Sequence, residues 1–209
     1  YALAIGLIGL RPKPGVSIRN AALFAAAGLA FFTVRMAATT WSFLLYDGVY
    51  DRQLQALDHI PRGARLVTFI GVSCGGNWAM SRLEHISGIA LERNLAYTND
   101  QWAMEGGQLL TSRFYAPGFA TDPSQVVTHP RCILPMWRRV GYSLVTFPRD
   151  SFDYVWLVTP PPYEKRLEQG LIPVWRGPGN SAVFRIDHNV PAATPGRWDT
   201  PPPRRYRRR

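Results

Sequence analysis

The stretch Asn20 to Tyr46, NAALFAAAGLAFFTVRMAATTWSFLLY, carries a single charge, Arg35. As a helix rising about 1.5 Å per residue it is long enough to cross a hydrocarbon core of about 30 Å, even when tilted. A helix buried in a soluble core would show a polar stripe at i, i+3, i+4 spacing. Between Ala21 and Val34 only Gly28 and Thr33 interrupt the apolar surface, so the stretch reads as a transmembrane helix. Everything else in the chain is read outward from it.

Upstream, YALAIGLIGL (1–10) is apolar and lacks a preceding positive region, so it resembles the end of an earlier membrane helix more than a signal peptide. On that reading the chain is the C-terminal portion of a polytopic protein. Residues 11–19 form a loop bearing Arg11, Lys13 and Arg19, which the positive-inside rule assigns to the cytoplasm. The membrane is then the inner (cytoplasmic) membrane, and the domain following residue 46 is extracytoplasmic. Trp41, Tyr46 and Tyr50 suit the aromatic belt at the exit interface. Arg35 has two readings. Its stem can snorkel to the outer interface, or its guanidinium can face the bundle and pair with a carboxylate or the phosphate of a lipid-linked substrate.

The chain of 209 residues has a net charge of +10, which suggests nucleic acid until it is apportioned. Arg11, Lys13, Arg19 and Arg35 give +4 to the membrane part, and six arginines against Asp199 give +5 to the segment after Pro191. Only +1 remains for residues 46–190, so the domain has no general footprint for a phosphate backbone and no nucleic-acid partner is expected. The proline- and arginine-rich segment 191–209 lacks apolar periodicity and reads as disordered. Its RRYRRR end suits anionic lipid head groups at about 1 kcal/mol per basic residue.

Within 47–190, Tyr50, Leu54 and Leu57 define an amphipathic helix over Val49 to Ile60, ended by Pro61. RLVTFIG reads as a buried strand and VSCGGN as a loop; Asn77 then caps a helix carrying Ala79, Leu83 and Ile86 on one face. GIALERNLAY reads as a second strand, MWRRVGYSLVTFP as holding a short helix, and DYVWLVT as a third strand. PPPYEKRLEQG starts a short helix with Leu167 inward, and IPVWRGPGNSAVFRID is a hairpin around Gly177 to Asn180. The expected fold is therefore a small α/β domain with a mostly parallel sheet and a C-terminal hairpin, following α-helical membrane segments. Thr98 to Pro135 shows no periodicity beyond a short helix near Gln108 to Arg113. It is expected to be an irregular, aromatic-rich excursion.

Motifs for chemistry are sparse. Gly71, Gly75 and Gly76 give G-x-x-x-G-G rather than a dinucleotide fingerprint, and there is no Walker loop. The adjacent pairs Asp58-His59 and Glu84-His85 point to different sides of a helix, so neither pair jointly holds a metal. No metal and no cofactor are expected here. Cys74 with His85 or His129 would be the makings of a cysteine nucleophile, although chance explains the set equally well. In an oxidising compartment Cys74 and Cys132 could instead form a disulfide, and the alternative is two buried thiols.

LQALDHIPRGARLVTFIG at the membrane exit, FDYVWLVTPP in the central strand and SAVFRID near the end of the domain are similar to the C-terminal part of bacterial GT-C type glycosyltransferases. That group of polytopic enzymes uses polyprenyl-phosphate sugars. The resemblance implies an extracytoplasmic α/β domain capping a membrane bundle and shaping an acceptor cleft, with a lipid-linked sugar donor bound further upstream. The family's catalytic acids lie in an early extracytoplasmic loop, and no residue here matches them, so no catalytic residue is expected. Candidate substrate contacts are Arg35 and the aromatic loop Trp102 to Phe119, with Trp102 and Tyr115 foremost, because sugar faces stack on aromatic rings. A reading of another class is a non-enzymatic, membrane-anchored envelope domain for protein interaction or assembly.

Overall fold

The structure is a computed structural model describing residues 17–74, 83–101, 126–132 and 137–199, together with Gly15, Phe114 and Pro201. The chain forms two compact units, Tyr1–Asp47 and Gly48–Arg209.

The described part of the first unit is helical. Helix α1 runs over Ile18–Leu54, and the division between the units falls within it. Its first turns have no acidic residue, and Asn20 N–H is bonded to the Ser17 hydroxyl at 3.3 Å. The apolar surface lies open on every side, with Phe24, Phe31, Phe32, Trp41 and Phe43 all at least 60% exposed. An 18-residue window of this helix has mean hydropathy 1.7 and none of it is buried, so it is long and apolar enough to cross a membrane. Thr33 returns its hydroxyl to the Leu29 carbonyl at 2.9 Å, the usual way a hydroxyl is satisfied inside an apolar helix. Sequence 1–10, expected to end an earlier span, lies outside the described residues.

The second unit is a mixed sheet with both faces covered. Its strands are β1 Arg65–Gly71, β2 Tyr97–Thr98, β3 Val126–Thr128, β4 Arg138–Arg139, β5 Tyr154–Val158, β6 Leu171–Arg176 and β7 Ala182–Ile186. The order is β4-β3-β1-β5-β7-β6, with β2 also paired to β1. All pairs from β4 to β5 are parallel, and β7 runs antiparallel to both β5 and β6. The mostly parallel sheet and closing hairpin expected from the sequence are therefore present.

Burial of both faces explains why RLVTFIG and YVWLV read as continuous apolar runs. Val67, Phe69, Val155, Leu157 and Phe184 join helix α3, Val140–Thr146, in one cluster. Leu66, Ile70, Trp156, Val158 and Val183 face Leu54, Leu57 and Ile60 in the other. One edge of β1 is shared, with β2 along its start and β3 along its end. Between them the buried Asn99 side chain accepts from Thr68 N–H at 2.8 Å and donates to Thr68 C=O at 3.1 Å. A single amide thus stands in for the missing strand, satisfying backbone groups that would otherwise be orphaned.

Three sequence expectations are corrected. The separate helix over Val49 to Ile60 is the continuation of α1 to Leu54, followed by a 3₁₀ turn over Gln55–His59. GIALERNLAY is chiefly helix α2, Ile89–Asn94, not a strand. Within the helix Ala90 is buried, as are Ala96 and Tyr97 beyond it, whereas Leu91 and Leu95 are exposed. Leu95 turns left-handed at φ 49° and stops the helix, and the Asn94 amide donates to the Leu57 and Ile60 carbonyls. Finally, the packed chain extends beyond Val190. Ala193 lies in the core, and Arg166 donates to Thr194 C=O at 2.7 Å and to the buried Asp199 at 2.5 Å. Residues 202–209 lie outside the described residues.

The starts of β1 and β5 are clamped by charge. Arg65 forks onto Asp153 through Nε at 3.1 Å and Nη2 at 2.5 Å, while Asp153 also accepts Arg65 N–H at 2.8 Å. Partial burial raises the Asp153 carboxyl, but the hydrogen bonds and charge of Arg65 prevail and hold it below its ordinary 3.8. A depressed folded pKa contributes stability that is present above the unfolded value and lost as pH falls through the folded one. Denaturation midpoints of the detergent-solubilised chain should therefore fall between pH 5 and pH 3, and Asp153→Asn should flatten that fall. An unchanged slope in the variant would assign the acid sensitivity to other carboxylates.

Candidate functional site

The carboxyl ends of β1 and β5 lie side by side, Ile70 opposite Val158, and ligands of parallel sheets bind at that edge. Two constructions occupy it. The first is a cleft of about 650 Å³ between the loop after β5 and the β6–β7 turn, lined by Pro160 to Tyr163, Lys165, Glu168, Arg176 and the turn residues.

The walls of the cleft are rigid for identifiable reasons. Thr159 turns sharply out of β5 at φ 41°, a left-handed conformation that costs a β-branched residue about 1–3 kcal/mol. It is held there by its N–H donating to Ser181 Oγ at 2.8 Å. Gly71 is required beside it, because any Cβ at position 71 would run into the Thr159 carbonyl. On the β6–β7 turn, packed against Thr159, Gly179 is left-handed at φ 66°, and a Cβ there would stand 3.0 Å from Thr159 Cγ2. Three consecutive prolines, each fixing φ, follow Thr159. The fully buried Gln53 supports the turn from behind by donating to Pro178 C=O at 3.3 Å.

The polar groups of the cleft form a chain. Tyr163 O–H donates to Glu168 at 3.0 Å, and Arg176 lies 3.6 Å from the other Glu168 oxygen with its guanidinium 5.8 Å from the Phe184 ring. Burial, followed by the negative charge and hydrogen bond of Glu168, pushes the Tyr163 hydroxyl well up, so it remains a donor at neutral pH. The side chains of Lys165 and Asn180 make no hydrogen bond or ion pair among the described residues.

The second construction gathers the loops after β1, β2 and β3. Cys74, beyond β1, is bonded to Cys132, beyond β3, with Cα atoms 5.7 Å apart. Nearby in sequence, His85 Nδ1 is paired with Asp100 Oδ1; the carboxylate side chain is 8% exposed and the imidazole 62%. His129 Nδ1 accepts Arg131 N–H at 3.0 Å. The nucleophile suggested by Cys74 with His85 or His129 is thereby overturned, since a disulfide sulfur carries no thiolate.

Of the residues singled out in the sequence, Arg35 sits exposed within the apolar surface of α1, and Cys74 and Cys132 are joined to each other. Trp102 and Tyr115 lie outside the described residues, as does the helix expected near Gln108 to Arg113. From the aromatic loop only Phe114 is described, with its ring 5.5 Å from that of Tyr97. No group of three or more metal-ligating side chains occurs among the described residues. Sequence reasoning missed the Pro160–Ser181 cleft, for which the available signal was PPPY immediately after a strand. Compared with known proteins, the chain matches no family model, no curated protein and no solved structure.

Proposed function

We propose that the chain is the membrane anchor and extracytoplasmic accessory domain of a glycosyltransferase-like integral membrane protein, holding an acceptor rather than performing the transfer. The observation that carries this reading is helix α1, whose apolar side chains are exposed on all sides. In water such a surface is unfavourable at about 25 cal/mol per Å², whereas a bilayer accommodates it. The Cys74–Cys132 bond supports an oxidising compartment for the domain, and the Arg11, Lys13, Arg19 loop supports the same orientation. The three segments that resemble the transferase group contribute β1, β5 and β7, which are neighbours at the centre of the sheet. The resemblance thus falls on one contiguous structural unit.

Reporter fusions at the C-terminus of the intact membrane protein test the orientation. Alkaline phosphatase should be active there and green fluorescent protein dark. Fluorescence without phosphatase activity would put the domain in the cytoplasm and overturn the reading.

A further inference from the structure

We propose that the Pro160–Ser181 cleft binds a saccharide bearing a carboxylate or phosphate group. Its volume of about 650 Å³ lies within the roughly 300–1,000 Å³ range of small-ligand sites, enough for a mono- or disaccharide. The Tyr163 ring supplies a flat face of the kind that stacks on the C–H face of a sugar ring, and Pro161 and Pro162 extend the apolar surface beside it. Hydroxyl recognition needs polar groups not already committed elsewhere. The Asn180 amide, without a partner among the described residues, provides both a donor and an acceptor.

Charge selects the anionic class. The cleft has two cations, Lys165 and Arg176, and one carboxylate, Glu168. That carboxylate is engaged by the Tyr163 hydroxyl on one oxygen and by Arg176 on the other. Lys165 is left as a positive charge without an ion-pair partner among the described residues, so the lining carries a net charge of +1. A neutral ligand gains nothing from that exposed, hydrated ammonium, whereas a carboxylate or phosphate makes a charge-assisted bond to it. The pinned Thr159 turn and the proline run mean that little ordering is required on binding, which favours affinity for a small ligand. Calling this ligand the acceptor rests on the accessory-domain reading above. Binding itself does not, and the two can fail separately.

Lys165 and Lys13 are the chain's two lysines, so amine acetylation followed by mass spectrometry reads the cleft at one position. The whole chain in detergent is titrated with a glucuronic-acid disaccharide, its neutral glucose counterpart, glucose 1-phosphate and inorganic phosphate. The uronate and the sugar phosphate should protect Lys165 but not Lys13, and should bind at least about tenfold more tightly than the neutral sugar or free phosphate. Lys165→Ala should lose that preference in calorimetry while retaining the weak neutral binding, and Asn180→Ala should weaken all three saccharides. Equal binding of neutral and anionic sugars would overturn the charge assignment. Inorganic phosphate binding as tightly as the sugar phosphate would overturn the saccharide assignment, and absence of protection would overturn both. Cytoplasmic reporters combined with a protected Lys165 would instead remove the acceptor role and leave the site standing.

Discussion

Replacing Cys132 with alanine is expected to destabilise the domain by about 2–4 kcal/mol under oxidising conditions. The bond joins the loop beyond β1 to the loop beyond β3 across 58 residues of sequence. For a loop of that size the chain-entropy account gives an upper value of about 4 kcal/mol, mostly by restricting the unfolded chain. Cys74→Ala should have the same effect, and the double variant no more than either single one, because one interaction cannot be lost twice. Urea midpoints of the detergent-solubilised proteins measure this. Thiol labelling after denaturation supplies the direct check: the wild type should take up label only after reduction. Two reactive thiols in the unreduced wild type would show that the pair is open.

The elements legible in the sequence were those whose signal is long and local. Helix α1, strands β1 and β5, the short helix α3 and the β6–β7 hairpin each carry a continuous apolar run or a turn signature, and the structure has them. Elements specified by distant partners were not legible. Strands β2 and β4 have two residues each, and β2 is completed by Asn99 reaching Thr68 across 31 positions. No local propensity encodes such a bond. The same holds for the segment after Val190, where proline and arginine content suggested disorder but Arg166 reaches Asp199 across 33 positions. The cleft was hidden for a further reason. It is built from residues 159–168 and 176–181, which approach one another only because β7 pairs with both β5 and β6. Each of its residue types is ordinary in a loop, and only the fold makes them converge.

The largest effect of a single core substitution is expected at Trp156. This residue lies on β5 opposite Thr68 of β1 and Val183 of β7, is fully buried, and packs in the cluster with Leu54, Leu57, Leu66 and Ile70. Trp156→Ala removes the whole indole and leaves a cavity beneath the end of α1 and its 3₁₀ turn, at a cost of about 3–5 kcal/mol. Trp156→Phe is expected to behave differently. The buried Nε1–H has no hydrogen-bond partner among the described residues, so phenylalanine gives up packing volume but also removes an unsatisfied donor worth about 1–3 kcal/mol. These terms oppose each other, and the Phe variant should remain within about 1.5 kcal/mol of the wild type. Denaturation in detergent measures both variants, and amide exchange at residues 53–60 reports whether the α1 end loosens in step with the lost stability. A Phe variant as unstable as the Ala variant would mean that the indole N–H is satisfied by an internal water, with Trp156 acting as a polar anchor as well as a core residue.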